Sequence, residues 1–88
     1  MALPTAKDFE DEIRRRWADA ALRGLKYVDI RAGSVHKYLG GYPSRSGRHR
    51  MPDCCHVMKR LMSKGDQVMS SPSSGQGASL VIRYALPR

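Results

Sequence analysis

The sequence has few aromatic residues, only two cysteines, few acidic residues after position 19, and no long apolar run. A helix that crosses a membrane needs about 18 or more consecutive apolar residues, and no segment approaches that length. The N-terminal segment carries four acidic residues, Asp8, Glu10, Asp11 and Glu12, so it cannot form the apolar region of a secretory signal. We therefore expect a cytoplasmic protein that does not contact a membrane.

The chain is also short, which limits how it can fold. Its 88 residues can bury a single core, so a two-domain architecture is excluded. Hydrophobic residues make up 41% of the chain and recur in periodic clusters, as in a folded protein rather than a disordered one. We predict one domain over residues 1–88, with flexible ends at residues 1–6 and 87–88.

The two cysteines, Cys54 and Cys55, are adjacent, so a disulfide between them would be strained and there is no disulfide framework. With His49 and His56 they resemble a zinc-ligand set, but adjacent cysteines on a helix diverge by about 100° and cannot both face one metal. A redox-sensing thiol is a second alternative, because the nearby Arg50 and His56 would lower its pKa. The favoured interpretation is two small core residues, and we predict no metal or cofactor.

Positive charge is concentrated after the first predicted helix. Sixteen Lys and Arg residues against eight Asp and Glu residues give the chain a net charge of +8. Residues 1–19 hold four bases and five acids, so residues 20–88 hold twelve bases and three acids. A small surface with this charge attracts polyanions, most often nucleic acid.

Apolar periodicity predicts a first helix over residues 5–25, capped by Thr5 and Asp8. Alternation then predicts a half-buried strand over 27–31, followed by a second helix over 33–39 that ends at Gly40. The predicted buried residues of these elements are Phe9, Ile13, Trp17, Ala20, Ala21, Val28, Ile30, Val35, Tyr38 and Leu39.

A basic polar loop, residues 42–50, precedes a third predicted helix that begins near Pro52 and ends at Lys64. The remainder is typical of a hairpin, with strands over 67–71 and 79–86 around a tip at 72–77 that is long enough to project. The predicted buried residues are Cys54, Cys55, Met58, Leu61, Met62, Leu80, Ile82, Tyr84 and Leu86.

This order of elements resembles the winged helix-turn-helix domain, over about residues 7–86. The resemblance implies an α+β fold in which three helices pack on a small antiparallel sheet, with the C-terminal hairpin as the wing. The segments A-G-S-V-H (32–36), G-G-Y-P (40–43), H-R-M-P-D-C-C (49–55) and G-Q-G-A-S-L (75–80) also look like a group of small bacterial proteins that have no established activity.

In winged-helix proteins that bind DNA, the third helix enters the major groove and the wing contacts the backbone or the minor groove. The sequence places Asp53, Val57, Arg60 and Lys64 on an exposed side of that helix, at spacings of four, three and four. We predict a nucleic-acid-binding domain, favouring duplex DNA, as a transcriptional regulator or a DNA-processing accessory. The predicted contacts are Arg48, Arg50, Lys59, Arg60 and Lys64, with Arg45 and the tip residue Gln76 as further contacts.

One module of this size binds DNA weakly, so a homodimer or a larger complex is expected for specific regulation. The alternative from another class is a protein-interaction adaptor with an exposed apolar patch, for which Val57, Val81 and Met69 are the candidates. A third alternative is a small nuclease that uses His36 and His49 as acid and base, although we expect no catalytic residues. Tyr42, beside the basic loop, either stacks on a base or packs over the loop.

Overall fold

The computed structural model describes residues 3–44 and 47–88, and in them the chain forms three helices and one small antiparallel sheet. The α+β class predicted from the sequence is confirmed, as are the three helices and the three-stranded sheet. The elements are α1 (Ala6–Leu22), β1 (Tyr27–Arg31), α2 (Ala32–Leu39), α3 (Met51–Arg60), β2 (Gln67–Ser70) and β3 (Val81–Ala85).

Helix α1 begins at the predicted capping box. The Asp8 N–H donates to the Thr5 hydroxyl oxygen at 3.2 Å, and the Thr5 N–H donates to the Asp8 carboxylate at 2.8 Å. These two bonds satisfy N–H groups that have no partner within the helix. The helix ends at Leu22, three residues before the predicted end, and Gly24 turns the chain with a φ of +77°.

The sheet has the order β1-β3-β2, so the strand after α1 pairs with the last strand rather than with its neighbour in sequence. Ile30 lies opposite Ile82, and Val28 lies opposite Tyr84, in antiparallel register. Because side chains alternate along a strand, these four point to the same face. That face closes the core, as the alternation in the sequence predicts.

The core lies between this face and the three helices. Helix α1 contributes Phe9, Ile13 and Trp17, and β3 contributes the fully buried Tyr84. The Tyr84 hydroxyl donates to the Met58 carbonyl at 2.7 Å, so the buried phenol keeps a hydrogen-bond partner. None of the helices in the described parts of the chain is long and apolar enough to cross a membrane.

Three predicted positions are wrong. Tyr38 was expected in the core but is 64% exposed, because α2 turns Val35 and His36 inward instead. Val57 was expected on the exposed side of α3 but is 1% exposed, because α3 packs against both α1 and α2 and so buries a wide face. Helix α3 ends at Arg60, so Lys64 lies in the following turn and not on the helix.

Candidate nucleic-acid interface

The exposed side of α3 is the centre of the predicted binding surface. Pro52, Asp53, His56, Lys59 and Arg60 are exposed, and at 100° per residue they occupy about a third of the helix circumference. The ten residues of α3 extend over about 15 Å at 1.5 Å per residue. This surface is therefore the exposed side of a single helix, and its cations lie at the C-terminal end of that helix.

Those cations are held by contacts to other elements. An Arg60 Nη2–H donates to the Glu10 carboxylate of α1 at 2.8 Å, and Arg14 donates to the same carboxylate at 2.9 Å. The hydrogen bond from Arg60, followed by that from Arg14, keeps the pKa of Glu10 below its usual value. The Arg60 side chain remains 50% exposed, so its remaining N–H groups can still donate to a phosphate.

Lys59 connects α3 to the hairpin tip. Its ammonium group donates to the Gly75 carbonyl at 2.6 Å, and the Gly77 N–H donates to the Cys55 sulfur at 3.3 Å. The sequence predicts that the tip projects. In the structure, the half of the tip that leads to β3 packs against α3 instead. Gln76 lies between these two bonded glycines in the chain and is exposed.

The loop between α2 and α3 is closed by a buried histidine. The His36 ring is fully buried, its Nε2 accepts from the Arg50 N–H at 2.9 Å, and its Nδ1 lies 3.0 Å from the Gly40 carbonyl oxygen. Since a backbone N–H can only donate, Nε2 is the unprotonated nitrogen and Nδ1 carries the proton that Gly40 accepts. One imidazole thus joins the two ends of the loop, and neither nitrogen is free for a substrate.

Two aromatic rings pack beside this histidine. Tyr42 lies 5.6 Å from His36 and 5.7 Å from His49, measured between ring centroids, and it is half-buried. Of the two roles considered for Tyr42, the structure shows the packing one. His49 also accepts from the Met51 N–H at 3.1 Å, which satisfies one donor at the start of α3.

The predicted contact residues are brought together in part. Arg50 precedes α3 directly and reaches Asp53 at 3.5 Å, while Arg48 is exposed two residues earlier and also has an interaction within the chain. Lys64 is exposed in the turn beyond α3. Arg45 lies outside the described residues. We call Arg48, Arg50, His56, Lys59, Arg60 and Lys64 the basic face.

Both cysteines belong to the core, as the favoured interpretation predicted. Cys54 and Cys55 are fully buried free thiols, and burial, followed by the neighbouring Cys55, raises the pKa of Cys54 to about 12. Burial also raises the pKa of Cys55, against the hydrogen bond from Gly77 and the charge of Lys59. Thiols in this state are the opposite of the low-pKa, exposed thiols that sense redox changes.

We expect the folded protein to resist thiol-modifying reagents. A rise in the pKa of Cys54 from 9.0 to about 12 lowers its thiolate fraction about a thousandfold. In a colorimetric disulfide-exchange assay at neutral pH, both thiols should react only after denaturant is added. Rapid reaction of one thiol in the folded protein would contradict this arrangement.

The sequence reasoning missed a second cationic region. Arg16, Arg31 and Lys37 line a pocket of about 540 Å³ together with Tyr38 and the first residues of the loop. The three cations come from three different elements, so no local motif joins them. The sequence gives no signal for this region, because its apolar periodicity places Tyr38 in the core.

Comparison of the chain with protein-family models, curated proteins and solved structures finds no match in any of the three. Within residues 3–44 and 47–88, no group of three or more His, Cys, Asp or Glu side chains is arranged to hold a metal ion.

Proposed function

We propose that the protein is a winged-helix domain that binds duplex DNA through the basic face. The observation that carries the proposal is the exposed side of α3 with the hairpin tip docked next to it by the Lys59–Gly75 bond. This type of domain makes two contacts with DNA: its third helix enters the major groove, and its hairpin tip reaches the backbone. Here α3 carries the cations for the first contact, and the tip lies beside α3 for the second. The strand order β1-β3-β2, with the β2–β3 connection beside α3, supports the same fold.

The charge of this surface agrees with a polyanionic partner. The basic face has five Lys or Arg residues, and Asp53 is the one carboxylate on the exposed side of α3. Asp53 pairs with Arg50 at the start of the helix, which leaves the C-terminal half of α3 to Lys59 and Arg60. If three to five phosphates are neutralised, the logarithm of the binding constant should fall against the logarithm of salt concentration with a slope of about −3 to −5.

The test compares two double variants with the same loss of charge. Arg50→Ala/Arg60→Ala removes a cation at each end of α3, and each of these cations has one acidic partner. Arg23→Ala/Arg83→Ala removes two cations that are also each in one ion pair, but directly after α1 and on the outer face of the sheet. A labelled random duplex and a matched single strand are titrated by fluorescence anisotropy at several salt concentrations.

We expect Arg50→Ala/Arg60→Ala to weaken duplex binding about tenfold or more and to make the salt slope less steep by about 2. The Arg23→Ala/Arg83→Ala variant should keep most of the affinity. Equal losses in the two variants would show that only net charge matters and would contradict the proposed face. Absence of duplex binding near 0.1 M salt would contradict the function and favour the adaptor alternative.

The adaptor alternative loses two of its three predicted apolar positions. Val57 is buried, and Val81 is half-buried in the sheet, whereas Met69 is 45% exposed on β2. Met69 and its neighbour Val68 are therefore the residues to replace if DNA binding is absent.

A further inference from the structure

The second cationic pocket lies between α1, the end of β1, α2 and the start of the loop. Its described lining includes the cations Arg16, Arg31 and Lys37, two tyrosines and Ser34, and none of the described lining residues is acidic. Its volume of about 540 Å³ is in the range of small-molecule sites. A concave surface with this composition fits a small anion-bearing ligand.

Two of its cations are not paired with a carboxylate in the part of the chain that the structure describes. Arg31 and Lys37 make no ion pair within the described residues, whereas each of the described acidic residues other than Asp8, which caps α1, is in an ion pair. The Arg31 guanidinium extends over α2, since its Nη1 lies 3.0 Å from the point that a Cβ on Gly33 would occupy. The pocket therefore offers about two positive charges, close to the charge of a phosphate monoester at neutral pH.

Arg16 is fixed in place at the same pocket. Its Nε–H donates to the buried Glu12 carboxylate at 2.7 Å, and its Nη1–H donates to the Ser34 hydroxyl at 3.1 Å. Its side chain is only 20% exposed, so it lines the pocket in a fixed position, with its N–H groups already oriented by these bonds. A pre-oriented guanidinium loses little side-chain freedom when an anion binds.

Tyr38 adds an aromatic surface to the cations. The guanidinium carbons of Arg15 and Arg16 lie 5.3 and 5.8 Å from the centre of its ring, which holds the ring at the pocket. Tyr38 is nevertheless 64% exposed. An exposed aromatic ring next to unpaired cations is suited to stacking a planar base while the phosphate contacts the cations.

We propose that this pocket binds a nucleoside monophosphate, with the phosphate on Arg31 and Lys37 and the base on Tyr38. The pocket has no described lining residue in common with the basic face, so it does not depend on the proposed DNA-binding function. The ligand would also contact Tyr42 and Pro43 at the start of the loop whose other end carries Arg48 and Arg50.

The test is calorimetric titration of the full chain with adenosine monophosphate, ribose phosphate and adenosine, with amide NMR spectra to locate the binding. Adenosine monophosphate should bind more tightly than either fragment and shift the amide signals of Gly33, Ser34 and Lys37. Arg31→Ala/Lys37→Ala should weaken it about tenfold or more, because charged hydrogen bonds are lost. Tyr38→Ala should remove the advantage over ribose phosphate, and the charge-matched control Arg23→Ala/Lys26→Ala should bind normally.

Each of the following results would overturn the proposal. Absence of binding with adenosine monophosphate, or equal binding in the control and Arg31→Ala/Lys37→Ala variants, would exclude a specific site. Equal affinity for ribose phosphate and adenosine monophosphate in the unaltered chain would exclude recognition of the base. Weaker duplex binding by Arg31→Ala/Lys37→Ala in a chain that does not bind the nucleotide would assign the pocket to the DNA backbone instead.

Discussion

Replacement of Asp66 by alanine is expected to lower the free energy of unfolding by about 3 kcal/mol, at the lower end of the range for removing one partner of a buried ion pair. The Asp66 side chain is fully buried, and its carboxylate accepts from the Ser63 and Ala85 N–H groups and from Arg88, each at 2.8 Å. It thereby joins the turn after α3 to the end of β3. Arg88 can turn toward solvent when its partner is lost, which keeps the cost from being larger.

Urea unfolding at neutral pH measures this effect, and Asp53→Ala is the matched control. Asp53 is an exposed carboxylate with one long contact to Arg50, at 3.5 Å, so its loss should change the free energy of unfolding by less than about 1 kcal/mol. Similar effects of the two substitutions would show that Asp66 does not hold the two segments together.

The same carboxylate makes stability depend on pH in one direction. Burial raises the pKa of Asp66, but the hydrogen bonds from Ala85, Ser63 and Arg88 outweigh this effect and keep the pKa below its ordinary value. A lowered pKa in the folded state means that the stabilisation is complete above the usual pKa and is lost as the pH falls through the lowered one. The free energy of unfolding should therefore decrease as the pH is lowered below about 4, and this decrease should be less steep in Asp66→Asn.

The elements with the strongest local signals could be predicted from the sequence. The capping box of Thr5 and Asp8 marks the start of α1, and the alternation around Ile30 and Ile82 marks two strands and their buried face. These signals lie within a few residues of the structure that they specify. The tip was predicted in the right place, but its contacts with Cys55 and Lys59 could not be predicted, because they join residues 22 and 16 positions apart, respectively.

Helix α2 shows why the buried positions were predicted wrongly at Tyr38 and His36. The spacing of Val35, Tyr38 and Leu39 favours one buried side, but the packed helix turns His36 inward and leaves Tyr38 exposed. A buried histidine is tolerated only where both nitrogens have partners, and one of these is the N–H of Arg50, 14 residues away. Hydrophobic periodicity carries no information about such a partner.

The two candidate sites also differ in how much of each could be predicted from the sequence. Arg60 could be placed on the exposed side of α3 from helical spacing alone, but its ion pair with Glu10 joins residues 50 positions apart. Arg16, Arg31 and Lys37 were not grouped because the pocket that they line exists only once α1, β1 and α2 have packed together. Local spacing therefore predicts which side of a helix is exposed, and only the fold shows which cations share a surface.

Replacement of His36 by alanine is expected to lower the free energy of unfolding by about 3 kcal/mol or more. The ring is fully buried, and it packs edge-on against Phe9 at 5.2 Å between centroids. Its removal leaves a cavity and also leaves the Arg50 N–H and the Gly40 carbonyl without their partners. Both losses occur at the ends of the loop that precedes α3, so we expect that loop to lose its fixed position before the rest of the fold does.

Urea unfolding measures the first effect and amide hydrogen exchange measures the second, with His56→Ala as the control on the exposed side of α3. The control should change the free energy of unfolding by less than about 0.5 kcal/mol and leave the exchange of the Arg50 amide unchanged. In His36→Ala the Arg50 amide should exchange much faster than amides in the centre of β3, because it no longer has an acceptor. If this amide stayed protected, the loop would be closed by contacts other than His36. If it exchanges as expected, His36 is what fixes the backbone of Arg50 at the start of α3.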